Sequence, residues 1–247
     1  MDPRWLTVIV IGVIILIVLD RQNRIHLTET EVLYILAVIP SAILHEVTHG
    51  WVALALGDDT AKRAKRLTLN PLVHVSLFGT LLVPAMLVLA GYPPFAWAKP
   101  VPVNLSRLRH PRNDHVVVAL AGPAMNIVLA VLFGLLFRVI VSLPVRAEIV
   151  TGIQLGLPEP GWAQYLYLLG VANVILAVFN LIPIPPLDGS TVLERFIPER
   201  WLAGYLSIRS FTMFLPLLIF VFRPNLIFDL YQPFLNFWGH LQGPGFT

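Results

Sequence analysis

Residues 32–56 read VLYILAVIPSAILHEVTHGWVALAL. At about 1.5 Å per residue, such a block is long enough to cross the hydrocarbon core of a bilayer as a helix. It nevertheless carries His45, Glu46 and His49, three ionisable groups at a depth where each is expensive to bury and needs a compensating partner. On a helix, positions i and i+4 lie one above the other on a single face, so the two histidines are spaced to grip one tetrahedral metal ion through neutral imidazole nitrogens. Glu46 projects beside that face, where it can hold a water and take its proton. At this composition the pattern His-Glu-x-x-His arises by chance in roughly one chain in 200. The competing reading is a hydrogen-bonded core network or a proton relay. Pro40 has no amide hydrogen, so it should free the Leu36 carbonyl and bend the helix just before the site.

The rest of the chain agrees with a membrane setting. Of 247 residues, 57% are hydrophobic and 13% charged, against roughly 45–50% apolar and about 25% charged in an ordinary soluble domain. A water-soluble globule is excluded. The absence of cysteine removes disulfides, thiolate zinc sites and iron–sulfur ligation, which leaves nitrogen and oxygen as the only donors for a metal. The formal charge of +3 resides in short basic clusters beside apolar blocks, where the positive-inside rule accounts for it and no nucleic-acid partner is expected.

The apolar blocks predict an all-α polytopic membrane protein, a helical bundle of about five or six spans. Residues 5–19 form a short first block, read as a retained span because no small-x-small cleavage site follows Leu19. Residues 32–56, 115–141 and 162–182 are the clear spans. Residues 201–222 and 225–240 are less regular, the last being amphipathic. The apolar stretch 77–90 is shorter than the roughly 17 residues a span needs, and reads as re-entrant or interfacial. Residues 91–114 are rich in proline and arginine and cannot span. The expected organisation is a single transmembrane domain over 1–247, with a core at about 30–195 and peripheral helices at 1–25 and 200–240. Lys62, Arg63, Lys65, Arg66, Lys99, Arg107, Arg109 and Arg112, set against Asp58, Asp59 and Asp114, assign the segment 57–114 to the cytoplasm. The ends of three spans then converge on that side.

A catalytic zinc usually takes three protein ligands. Asp188 is the candidate third, in FNLIPIPPLDG (179–189), where three prolines prevent regular helix and Gly189 permits a tight turn. A helix cap is the alternative for this carboxylate. HEVTH (45–49), AGPAMN (121–126) and FNLIPIPPLDG, in that order, resemble the site-2 protease family of intramembrane zinc metalloproteases over roughly residues 30–195. The resemblance implies that His45, His49 and Asp188 bind one Zn2+, that Glu46 is the general base, and that Asn126 and Asn180 hold the substrate backbone or the oxyanion. It also implies membrane-protein substrates. Residues 57–80 are similar to the branch without an inserted PDZ domain, although Ser76-Leu77 stands where members often have Asp-Pro. Asn126, Asn173 and Asn180 have interhelical hydrogen bonding as their other reading, and His74 is weighed as an additional ligand against a satisfied interfacial histidine.

In FAWAKPVPVN (95–104) each residue before a proline is pushed toward extended backbone, and Pro100 and Pro102 remove donors from one edge. Only the edge bearing Val101 and Val103 can donate, and it is expected to receive an unwound substrate as an added strand; a rigid connector is the alternative. Two further classes remain open at this point. A metal-binding transporter would also bury His, Glu, Asp and Asn, but it predicts inverted repeats, which the sequence does not display. A non-catalytic membrane scaffold would keep the spans without turnover.

Overall fold

The computed structural model describes residues 28–89, 97–151, 161–198, 200–202, 204, 205, 207 and 215–242. The first apolar block, 5–19, lies outside them. The apolar block that carries the histidines becomes α1 (Glu29–Ala55). It opens with a capping box in which the Glu31 amide donates to the Thr28 hydroxyl and the Thr28 amide to the Glu31 carboxylate. The helix runs through Pro40, and the Leu36 carbonyl that proline frees accepts from the Tyr165 hydroxyl at 3.3 Å. The chain turns at Leu56 and Gly57, the latter at φ +110, a backbone conformation that glycine adopts freely.

Short elements follow: α2 (Thr60–Arg63), α3 (Pro71–His74), a π-helical turn Leu77–Leu82 and α4 (Val83–Leu89). The stretch predicted to be re-entrant is thus helical but broken, and neither piece is long enough to span. Residues 97–104 form neither helix nor strand, and among the described residues they join no strand ladder. A long α5 (Pro111–Ile140) starts with proline at its first position, where the missing amide has no intrahelical partner to lose. The predicted loop after it holds a nine-residue helix, α6 (Leu143–Thr151). Next come α7 (Gly161–Asn180), α8 (Asp188–Phe196), α9 (Leu215–Phe222) and α10 (Pro224–His240).

Three described helices, α1, α5 and α7, are long and apolar enough to cross a membrane. Within the C-terminal blocks the described residues include α9 and α10, of 8 and 17 residues. The polytopic all-helical class stands, with three spans seen among the described residues where about five or six were expected.

The three long helices pack on one another through small residues, as expected where lipid supplies no hydrophobic drive and close backbone approach gives the contact energy. Ala37, Ala53, Ala130, Ala163, Ala172 and Ala177 are all buried. Trp238 of α10 fills a notch between α5 and α7. A Cβ on Gly134 or Gly170 would stand 2.8 or 2.1 Å from its indole, and its Nε1 donates to the Ala130 carbonyl at 2.7 Å. The opposite faces, such as Val128, Val139 and Ile140 of α5, are exposed apolar surface suited to lipid.

On the basic side, Asp58 ties the end of α1 to the segment before α5. Its carboxylate accepts from the Thr60 amide at 3.0 Å, the Thr60 hydroxyl, and the Asn104 amide at 2.6 Å. Burial pushes the Asp58 carboxyl up, but these hydrogen bonds outweigh it and hold the group below the usual carboxylate range.

Candidate metal centre

Beyond α7, the prolines of 183–186 keep the chain in a series of turns that ends at Asp188, the first residue of α8. Gly189 makes the return possible: a Cβ there would lie 2.2 Å from the Leu181 carbonyl oxygen. The turn brings the Asp188 Oδ2 to 3.1 Å from His45 Nε2 and 3.3 Å from His49 Nε2, while the two Nε2 atoms are 3.0 Å apart. Both imidazoles are buried.

The far side of each ring decides what those nitrogens are. His49 Nδ1 faces the Val118 carbonyl at 2.6 Å, and a carbonyl only accepts, so Nδ1 carries the hydrogen. For His45 the direction follows from a chain of bonds. The Leu169 carbonyl accepts from Asn173 Nδ2 at 2.8 Å, which points the Asn173 Oδ1 at Asn126. Asn126 Nδ2 therefore donates to it at 2.7 Å, and Asn126 Oδ1 accepts from His45 Nδ1 at 2.5 Å. Ser41 closes the network, accepting from Asn173 at 2.8 Å and donating to the Ala37 carbonyl at 2.8 Å.

With both Nδ1 atoms protonated, neutral rings leave both Nε2 atoms as bare lone pairs. Two lone pairs and a carboxylate oxygen crowded within 3.3 Å repel one another unless a cation sits among them. Ligands about 2.0–2.1 Å from a tetrahedral zinc stand about 3.3 Å from each other, close to all three edges of this triangle. The donor set of two imidazoles and a carboxylate fits that ion, and the Nδ1 contacts are those that fix the tautomer of metal-binding histidines. Among the described residues, this is the group of His and acidic side chains that could hold a metal ion.

The other expected residues fall in different places. Glu46 stands on α1 between the histidines, and its Oε2 accepts from the Val101 amide at 2.9 Å. Asn126, expected at substrate or oxyanion, is instead fully buried, with its oxygen on His45 and its nitrogen on Asn173. Asn180 is half-buried at the end of α7 and donates to the Leu176 carbonyl at 2.9 Å. The donor edge of 97–103 is not open at Val101, because that amide is already engaged by Glu46. Trp97 and Lys99, on the same edge, donate to the Gly79 and His74 carbonyls at 3.0 and 2.8 Å. Val103 packs against Ala53, Leu108 and Val118. His74 is buried with its Nε2 donating to the Thr68 carbonyl at 2.8 Å, outside the metal group.

Gly122 lies in the AGPAMN stretch but was given no role of its own, and the structure sets it against the donors. A Cβ on it would lie 2.3 Å from His49 Nε2 and 2.6 Å from His45 Nε2, so α5 can approach the donors only without a side chain there. Its place one turn before Asn126 on the same helix was the available signal.

Comparison with known proteins agrees with this geometry. The profile of peptidase family M50 matches residues 33–221. The chain belongs to that family. It is thus an integral membrane zinc peptidase of the site-2 protease kind that its three motifs resemble. It is 36% identical over 189 residues, 76% of this chain and 79% of the other, to a Bacillus subtilis protein named "Putative zinc metalloprotease YwhC". A Mycolicibacterium smegmatis protein described in the same words, Rip2, is 30% identical over 96% of this chain and 88% of its own. No solved structure matches the chain.

Proposed function

We propose that this chain is an intramembrane endopeptidase that cuts membrane-spanning segments of other proteins after local unwinding, with its site open toward the cytoplasm. The observation that carries the reading is the triangle of two imidazole Nε2 atoms and one carboxylate oxygen, with a glutamate one residue from the first histidine. His45, His49 and Asp188 would hold the ion, within a single domain whose core spans about 30–195. Zinc bound there would supply Lewis acidity, lowering the pKa of a bound water toward about 7 and polarising the scissile carbonyl. Glu46 accepts the proton from the attacking water and returns it to the leaving amine, so the peptide C–N bond breaks as water adds across it. Asn126 holds His45 in the tautomer that leaves Nε2 bare. Asn180, the remaining half-buried amide near the Asp188 turn, steadies the oxyanion.

The bias of basic residues in 57–114 supports an orientation with α1's histidine end inward, and the same reading assigns the chain to the cell membrane. A transporter is disfavoured because the matched family is one of peptidases and Glu46 stands beside the two histidines. The test is Glu46→Gln in the full chain. The zinc content of the purified protein should stay at the wild-type level, while turnover falls by about 10²-fold or more. Single-pass proteins that accumulate in membranes of cells carrying the variant would be its substrates. A variant that keeps cutting sinks the proposal.

A further inference from the structure

A general base works only if one carboxylate oxygen is aimed at the water, which requires something to hold the other. Glu46 Oε2 is held by a single backbone amide, that of Val101. Pro100 and Pro102 flank it, so from 100 to 102 Val101 carries the one amide hydrogen the chain possesses. The fit is tight from the side as well: Val101 is buried, and its Cγ1 lies 2.9 Å from where a Cβ on Gly50 would stand, one turn along α1 from Glu46.

Among the described residues, segment 97–104 has no strand beside it to fix its position. Its anchor is Arg66, a buried arginine from the loop after α2. One guanidinium nitrogen donates to the Val73 carbonyl at 2.6 Å, and the other to the Lys99 and Pro100 carbonyls at 2.7 and 3.3 Å. The Pro100 carbonyl belongs to the same peptide group as the Val101 amide. Arg66 and Glu46 therefore hold one peptide unit from its two ends, the arginine at the oxygen and the carboxylate at the nitrogen. Burial pushes the guanidinium down and the charge of Glu46 acts in the opposite direction, consistent with the two facing each other across this peptide.

We propose that Arg66 is a positioning residue for the general base, acting through the Lys99–Pro100–Val101 backbone to fix one oxygen of Glu46 and aim the other. This rests on the hydrolytic reading of the site. Lysine at 66 keeps the charge, but a single ammonium cannot reproduce a planar fork that spans three carbonyls.

The test uses the full chain in lipid vesicles and a panel of dye-quenched single-span peptides, carrying forward the one that the wild type cuts fastest. Arg66→Lys and Val101→Pro should each lower kcat about tenfold or more while KM and zinc content stay within about twofold of wild type, because neither touches the ligands. The double variant should be no worse than the poorer single one, since both act on the same oxygen of Glu46. A readout that needs no turnover is hydrogen exchange in the metal-stripped chain, where Glu46→Ala and Arg66→Lys should each speed exchange in the 99–104 peptide at least severalfold.

Retention of kcat within twofold in Arg66→Lys, a rise in KM in place of a fall in kcat, or zinc loss in step with activity overturns the proposal. So does unchanged exchange in both variants, which also decides the case if a variant folds too poorly to assay. Cleavage by Glu46→Gln, or no cleavage of any peptide by the wild type, would instead strike the hydrolytic reading itself.

Discussion

Around the histidines a chain of polar side chains links three helices, whereas in the basic segment between α1 and α5 the buried Arg66 and Asp58 brace irregular backbone. Around the histidines the sequence runs from His45 through Asn126 and Asn173 to Ser41, side chain to side chain across three helices. In 57–110, Arg66 takes three carbonyls, Asp58 two amides, and Asn70 and Asn104 one amide each. The cause is the state of the main chain. Spanning helices satisfy their own peptide groups and leave side chains to find each other; irregular backbone has peptide groups in need of partners, and buried side chains supply them. The first network can therefore be read as ligand orientation, and the second as a replacement for secondary structure.

The contrast breaks most severely at Gly122, where α5 touches the donors. Gly122→Ala puts a carbon into the space beside both Nε2 atoms. Alanine also favours helix more than glycine does, by about 1 kcal/mol, so the helix itself should survive. Zinc content should fall from about one per chain to near zero, with activity lost in parallel, as elemental analysis of the purified protein would report. Full zinc occupancy in this variant would mean that α5 is not packed against the histidines as described.

Asn126→Ala tests whether the helical network is second to the metal. It removes the acceptor that holds the His45 proton and leaves the Asn173 oxygen without its donor. Removing such a partner typically weakens metal affinity about 10–100-fold, and a chelator competition titration would measure it. Asn126→Asp keeps an acceptor for His45 and should lose less. Equal affinity in all three proteins would reduce the network to helix association alone.

The same contrast explains what could be read in advance. The spans were legible because each is a long apolar run, and the candidate metal group because two of its members sit four residues apart on one such run and the third follows prolines that stop a helix. Sequence spacing puts Asn126 on a face of a helix but does not give the neighbours across from it, which are His45 and Asn173. Residues 97–104, expected to offer a strand, form no strand among the described residues. Which partner its amides find depends on Arg66, Gly79, His74 and Glu46, separated by up to about fifty residues, and no local pattern carries that. Helix α6 was read as loop because its nine residues include proline, arginine and glutamate, too polar for a span and too short to show a period.

The smallest expected effect sharpens the other half of the comparison. Asp58→Asn keeps the size of the side chain but turns one acceptor oxygen into a donor facing the amide of Asn104 or Thr60. The segment before α5 should loosen, lowering stability by about 1–3 kcal/mol while leaving the zinc site intact. Because the folded carboxyl is held below its ordinary range, the unfolded chain binds the proton more readily, and the stabilisation depends on pH with a definite sign. It is fully present above the unfolded value of about 3.9 and is lost as pH falls through the folded value beneath it. Thermal unfolding of the metal-stripped wild type and variant from pH 7 downward should show a constant gap to about pH 4 that closes below it. A gap that stays constant or widens in acid would mean that the Asp58 contacts act through shape alone, and that charge has no part in bracing this loop.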